Sequence, residues 1–307
     1  MAAGGGTKAI LAALFANAGI AVAKFIGFLV TGSSSMIAEA VHSVADTSNQ
    51  GLLLLGMRTS KREATSEHPF GYGRDRYFYS FIVALVLFTL GSVFALYEGI
   101  HKIQEPESLT TAYVAVIILV VAIGLESYSF RTAIVESRKV KGDAGWVKFI
   151  RQAKTPELPV VLLEDAGALL GLVFALIGVG LSVLTGNAVW DGVGTICIGL
   201  LLGAIAIVLI IEMKSLLIGE GSGPAELRAI RAALVGGPVD RVIHVKTQYV
   251  GPEELLVAAK IAVAGSQRTA DVARAIDEAE ARVRAAVPAA RMIYLEPDLD
   301  RSPAEAT

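Results

Sequence analysis

Cysteine is almost absent from this chain: Cys197 is the one thiol in 307 residues. That excludes a disulfide framework and a cysteine-ligated metal centre, and the residue reads as a small hydrophobe in an apolar stretch. Histidine is scarce as well, at four residues, His42, His68, His101 and His244. Charged residues make up only 18% and gather into no basic domain, which disfavours nucleic acid as a partner. There is no nucleotide-binding glycine loop and no nucleophile–base arrangement, so an enzyme is not expected. No acidic ring or filter-like segment suggests a channel.

Apolar residues fill the space. The chain is 54% hydrophobic with a mean hydropathy of +0.60, above the roughly 45–50% of soluble domains. Six spans emerge on the ~20-residue criterion, at about 9–31, 33–57, 77–100, 111–131, 158–184 and 189–213. The start, Lys8 followed by an apolar run, has the look of a secretory signal. The run continues past Lys24 to Val30, however, and the expectation is a span. The expected fold class is a polytopic α-helical membrane protein: a six-helix transmembrane bundle plus a small cytoplasmic α+β domain.

The connections alternate in character. Those after spans one, three and five are short and nearly free of Lys and Arg. The one after span two holds Arg58, Lys61, Arg62, Arg74 and Arg76. The one after span four holds Arg138, Lys139, Lys141, Lys148, Arg151 and Lys154. The positive-inside rule puts both basic loops, and hence both termini, in the cytoplasm, with the inner or plasma membrane as the host. Arg74 and Arg76 read as topology and lipid-headgroup anchors.

From about 217 the composition changes. The expected division is a membrane domain at 1–215, a linker at 216–224 and a C-terminal domain at 225–300. That last part alternates as helix 226–235, strands 240–249 and 254–263 around a Gly251-Pro252 turn, helix 268–286 and strand 290–295. The order αββαβ is a ferredoxin-like α+β sandwich.

Within this frame the second span carries the wrong residues. Glu39, His42, Asp46 and Asn49 follow helical spacing and form one polar stripe. Each charge at the centre of a spanning helix costs roughly 2.5–3.5 kcal/mol on insertion scales, so such residues are expected to face a cavity and act there. With a 1.5 Å rise, Asp46 lies about 10 Å from the cytoplasmic boundary, and so does Asp165 of the fifth span, which runs the other way. Two carboxylates and the His42 imidazole at one depth suit a tetrahedral divalent site, zinc above all, and their charge of −2 cancels the ion's. Protons compete with metal for the same three groups. A bundle that exposes them to each side in turn would perform proton/metal antiport.

Several further residues have plainer readings. Lys24 is expected to pair with an acidic neighbour or snorkel, Glu126 to pair with it or line a vestibule, and Asp191 to cap span six. Gly167, Gly171, Gly178 and Gly180 are read as close helix packing.

The chain resembles the cation diffusion facilitators, which move zinc and related divalent ions out of the cytoplasm in exchange for protons. The matching residues are Thr31-Gly32-Ser33 leading into Ala38-Glu39-Ala40-Val41-His42-Ser43-Val44-Ala45-Asp46, His68-Pro69-Phe70-Gly71-Tyr72-Gly73-Arg74, Leu96-Tyr97-Glu98-Gly99-Ile100, Glu164-Asp165, and Leu216-Leu217-Ile218-Gly219-Glu220. The resemblance covers nearly the whole chain and implies six helices, a homodimer and a cytoplasmic domain that helps to dimerise. It implies two His/Asp-xxx-Asp pairs as the intramembrane site. His42 and Asp46 supply one pair completely. Asp165 supplies half of the other, and Val161 stands where zinc members often have histidine. Glu164 is the first candidate for the missing ligand, followed by Glu39 and Asn49. The gap leaves manganese, iron and cobalt open beside zinc, since more oxygen suits harder ions. Tyr72 stands in for a second loop histidine, and His244 is the only histidine of the C-terminal domain, so a well-occupied metal cluster is not expected there. No resident cofactor is implied; the metal is cargo. A membrane-anchored metal sensor is the alternative reading.

Overall fold

The computed structural model describes residues 2–31, 34–106, 112–264 and 266–299. The side chains of Glu39 and His42 lie outside the described part, although their backbone belongs to a helix. Six long helices, α1 (Ala2–Thr31), α2 (Ser34–Thr59), α3 (Asp75–Gln104), α4 (Ala112–Lys141), α6 (Glu157–Thr185) and α7 (Val189–Ile218), are accompanied by a short α5 (Trp146–Gln152). A second region runs α8 (Pro224–Leu234), β1 (Val239–Gly251), β2 (Glu254–Val263), α9 (Thr269–Ala286) and β3 (Ala290–Leu299). Contacts separate the chain into two compact units, residues 1–62 with 75–214, and residues 63–74 with 215–307.

Among the described residues, α1, α3, α4, α6 and α7 are long and apolar enough to cross a membrane. Helix α2 has the length, 26 residues, but its polar stripe keeps it below that threshold. Bulky apolar side chains stand exposed on the outer faces, among them Phe15, Leu29, Ile177, Leu184 and Leu200. So much exposed apolar surface is compatible with lipid, not with water. Helix α4 runs about ten residues beyond the expected end of the fourth span and carries Arg131, Arg138 and Lys139 along its extension.

In the helical unit α1 packs on α2 and α4, α4 packs on α6, and α2 packs on α3. Glycines set the close approaches of α7. A Cβ on Gly99 of α3 would lie 3.0 Å from the Gly192 carbonyl, and one on Gly178 of α6 would meet the Trp190 carbonyl at 2.9 Å. Gly167 and Gly171 likewise face α7 side chains. A Cβ on Gly180 would meet no atom of a described residue within 4 Å, so among the described residues Gly180 makes no close helix approach of the kind expected.

Helix α3 contains a π-helical stretch, Leu87–Val93. Its Ser92 Oγ donates to the Gly199 carbonyl of α7 at 2.8 Å. Salt bridges tie both ends of α3. At one end Arg76 pairs with Glu157 of α6 through both carboxylate oxygens, with Nη2 at 2.7 Å. At the other Lys102 meets Asp191 of α7 at 3.0 Å. Arg76 is therefore a buried structural ion-pair member, not a headgroup anchor, and Asp191 joins α7 to α3 through its ion pair. The turn before α7 is closed instead by Asn187 Oδ1, which accepts from Val189 N at 3.0 Å.

The α+β unit has strand order β1-β2-β3, with β1–β2 antiparallel and β2–β3 parallel. Alternation along β2 sends Leu255, Val257, Ala259 and Ile261 into a core completed by Ile230 and Leu234 of α8 and Ala275, Ala279 and Val283 of α9. Strand β3 outruns its expected end and includes Pro297, tolerated because β3 is an edge strand that, among the described residues, pairs with β2 alone. Helix α9 starts at Thr269 with Arg268 at the N-cap and no side-chain cap bond. In the loop of this unit Gly71 has φ +77°, open to glycine at little cost, and Gly73 abuts the backbone of Gly251 so closely that neither can carry a side chain. His68 stacks on Tyr72 with centroids 4.6 Å apart.

Glu226 closes the α8 N-terminus by accepting from Gly223 N at 3.1 Å, and it also accepts from the buried Tyr249 hydroxyl at 2.9 Å. Burial, with the Glu226 carboxylate beside it, pushes the Tyr249 phenol up, so it stays a donor. Tyr249→Phe strips a half-buried carboxylate of one donor and is expected to destabilise this unit by about 1.5–3 kcal/mol, the usual worth of a bond to a charged group. Chemical denaturation followed by circular dichroism checks it.

Candidate metal site

The site builds up from α6. Its sequence Val161-Leu162-Leu163-Glu164-Asp165 places two carboxylates on a helix that is otherwise apolar for most of its length. Asp165 is 1% exposed and accepts a hydrogen bond from Ser129 Oγ of α4 at 2.6 Å. Glu164 is buried too and faces α2. Its Oε2 accepts from Gln50 Nε2 at 3.0 Å, and its Oε1 accepts from Asn49 Nδ2 at 3.4 Å. Adjacent residues on a helix point about 100° apart, so the two carboxylates are presented to different neighbours. Val161, one turn before Asp165, is fully buried and offers no donor atom.

Helix α2 carries the matching face. Asp46 is half-buried, and Asn49 and Gln50, one turn further on, are at most 1% exposed. The charge of Asp46 interacts with that of Glu164. From α4, the buried Glu126 interacts electrostatically with Asp165, Glu164, Asp46 and the ammonium of Lys24 on α1. Four carboxylates thus converge from α2, α4 and α6 with Lys24 as the opposing cation. That many negative charges inside apolar helices are tolerable only with protons or cations to offset them.

The arrangement is open. Among the described residues no three His, Cys, Asp or Glu side chains stand close enough to hold one metal ion. The structure therefore brings Asp46, Glu164 and Asp165 into electrostatic range without closing them round one point. His42, whose helix position is one turn from Asp46, lies outside the described side chains. In the α+β unit His244 sits on β1 opposite Lys260, which binds Glu296 and Asp298 at 3.2 and 2.9 Å.

Three participants were not singled out by spacing arguments. Ser129, Gln50 and Glu157 are common polar residues, and only the packing of α4, α2 and α3 against α6 reveals their partners. Gln50 had one sequence signal, its place in an Asn-Gln pair one turn past Asp46. Asn49 Oδ1 and Gln50 Oε1 are buried and accept no hydrogen bond from a described residue. An acceptor left so costs about 1–3 kcal/mol.

Comparison with known proteins is consistent with this geometry. The family model for the cation efflux transmembrane domain matches residues 10–218. The chain is 35% identical over 257 residues to a protein of Xenopus laevis named proton-coupled zinc antiporter SLC30A9, mitochondrial, covering 83% of this chain and 46% of the relative. The human protein of the same name is 32% identical over 239 residues, covering 77% and 42%. Metal tolerance protein C4 of Arabidopsis thaliana is 30% identical over 257 residues, covering 83% and 56%. The chain spans about half the length of these curated relatives or less.

Proposed function

We propose that this chain, which belongs to the cation efflux family of cation diffusion facilitators, exports divalent metal ions from the cytoplasm in exchange for protons, with zinc as the preferred ion. The observation that carries the reading is the buried Asp165 of α6, held by Ser129, beside a set of carboxylates that converge within apolar helices. Proteins of this family are transporters rather than enzymes, and the reading calls for no catalytic residue and no resident cofactor.

His42, Asp46 and Asp165 bind the ion, and Glu164, held by the α2 amides, adds its charge beside them where Val161 offers no ligand. An ion entering from the cytoplasm meets a net negative pocket. Protons entering from the other side take the same carboxylate and imidazole atoms and release it. The lipid bilayer is the host, here the plasma or inner membrane with both termini in the cytoplasm. The working form is a homodimer joined through the α+β unit. The relatives' names, proton-coupled zinc antiporter among them, support both the metal and its exchange partner.

A second reading of the cargo is favoured by one observation: Val161 is an apolar residue where a nitrogen ligand would select zinc. Proteoliposomes containing the purified chain and a fluorescent metal indicator, offered zinc, manganese, iron, cobalt and cadmium in turn, separate the readings. Zinc flux above the rest is expected. Manganese above zinc would replace zinc as the cargo, and no flux for any ion would remove the transport reading.

A further inference from the structure

We propose that Asn49, Gln50 and Glu164 form a second cation station, built from oxygen alone, one helical turn from Asp46 on the side of the basic loops. It rests on the transport reading above and adds a stopping place to it.

The geometry is that of a clamp with spare acceptors. The two amide groups of α2 each donate to a different oxygen of the same α6 carboxylate. Holding two helices together requires only the donors. Yet both amide oxygens, Asn49 Oδ1 and Gln50 Oε1, are buried with no described donor, in side chains that are at most 1% exposed. The Ser129–Asp165 contact shows the economical alternative, in which one hydroxyl joins α4 to the same helix. A carboxylate carries about four lone-pair sites, of which the amides occupy two. Two free carbonyl oxygens and the remaining carboxylate sites make a donor set for a hard divalent cation, with no nitrogen or sulfur.

The station is displaced consistently on both helices. Helix α2 runs from Asp46 toward the basic residue Arg58, so Asn49 and Gln50 lie about 4.5–6 Å nearer the basic end. Helix α6 starts just after the basic loop, so Glu164 lies on the same side of Asp165. An ion here would sit between the basic-loop side and the His42–Asp46–Asp165 site. The charges of Asp46 and Glu164 interact, so occupancy at one place affects the other, the condition for handing an ion on rather than trapping it.

The test counts manganese bound to the purified full-length chain by equilibrium dialysis, with electron paramagnetic resonance to report its ligands. Gln50→Leu together with Asn49→Leu is expected to lose one ion per chain relative to the parent. Asp46→Ala is expected to lose a different one, and the combination to lose both. Gln50→Glu removes the donor to Glu164 but keeps an oxygen, so it is expected to retain the second ion, whereas a purely structural clamp predicts that it behaves like Gln50→Leu. The Gln50→Glu and Gln50→Leu comparison also covers the case in which the double leucine variant does not fold. The station is overturned if the double variant binds as many ions as the parent, or if Gln50→Glu and Gln50→Leu lose the ion alike. Loss of transport in Asp46→Ala, together with an ion count in the Asn49→Leu/Gln50→Leu variant equal to the parent's, would overturn the station and leave the transport reading standing. Intact transport in Asp46→Ala would do the reverse.

Discussion

Asp165→Ala should reduce metal flux in proteoliposomes by more than about 100-fold, beyond the roughly 10–100-fold cost of losing an outer partner of a metal ligand. Asp165 is buried on a spanning helix, and its one described hydrogen bond comes from Ser129. On the proposed reading, removing the carboxylate takes out a ligand and half of the charge that balances a dication. The alanine variant also leaves the Ser129 hydroxyl without its acceptor, which costs about 1–3 kcal/mol. Asp165→Asn is the cleaner form, because the amide oxygen still accepts from Ser129 while the charge is gone. Both variants should be inactive and elute as the parent does on size exclusion. Ser129→Ala should lower flux by only about 10–100-fold, since the ligand remains and only its orientation is loosened. Asp46→Ala should match Asp165→Ala. Flux within threefold of the parent in Asp165→Asn would place the ion elsewhere.

Glu157→Ala is expected to destabilise the helical unit by about 3–5 kcal/mol, the cost of stranding a buried charge. Glu157 is 1% exposed and takes the Arg76 guanidinium on both oxygens. The pair joins the first turn of α3 to the first turn of α6, where the acid also favours the positive end of the α6 dipole. Arg76→Ala should cost a similar amount. Replacing both residues together, as Arg76→Met with Glu157→Leu, should recover most of the loss, because a well-packed apolar pair often matches a buried ion pair. Thermal unfolding in detergent, followed by tryptophan fluorescence, reads the effect. A single variant as stable as the parent would mean that water reaches the pair.

Much of this was legible in the sequence, and the reasons differ by element. The spans follow from apolar runs longer than any soluble helix needs. Helix α2 was legible through its polar stripe alone, because three charged or titratable residues one turn apart have no place in lipid unless they act. Asp165 was singled out by depth: two antiparallel spans and a rise of 1.5 Å per residue lead one to expect it level with Asp46, and the structure adds that it is buried. Glu164 was legible as a candidate but not in its role. The sequence shows that it neighbours Asp165; only the hydrogen bonds from α2 show that two amides hold it. The Arg76–Glu157 pair was hidden for the same reason. An arginine beside a basic loop reads as a headgroup anchor until a buried carboxylate 81 positions away is found against it. The π-helical stretch of α3 was hidden because nothing in Leu87-Phe88-Thr89-Leu90-Gly91-Ser92-Val93 breaks a helical pattern. The extension of α4 and the length of β3 were missed at their ends, where charged residues and a proline look like stops and neighbouring elements override them.

The most direct test of the central claim is zinc movement under an imposed proton gradient. Proteoliposomes holding the full-length chain are loaded with a zinc indicator and diluted into buffers of higher, equal or lower pH than the lumen, with zinc outside. Exchange predicts that an acidic lumen speeds zinc entry, that an alkaline lumen suppresses it, and that zinc entry alkalinises the lumen. It also predicts that Asp165→Asn abolishes all three responses. Zinc entry at one rate under every gradient, with no change in luminal pH, would contradict the account.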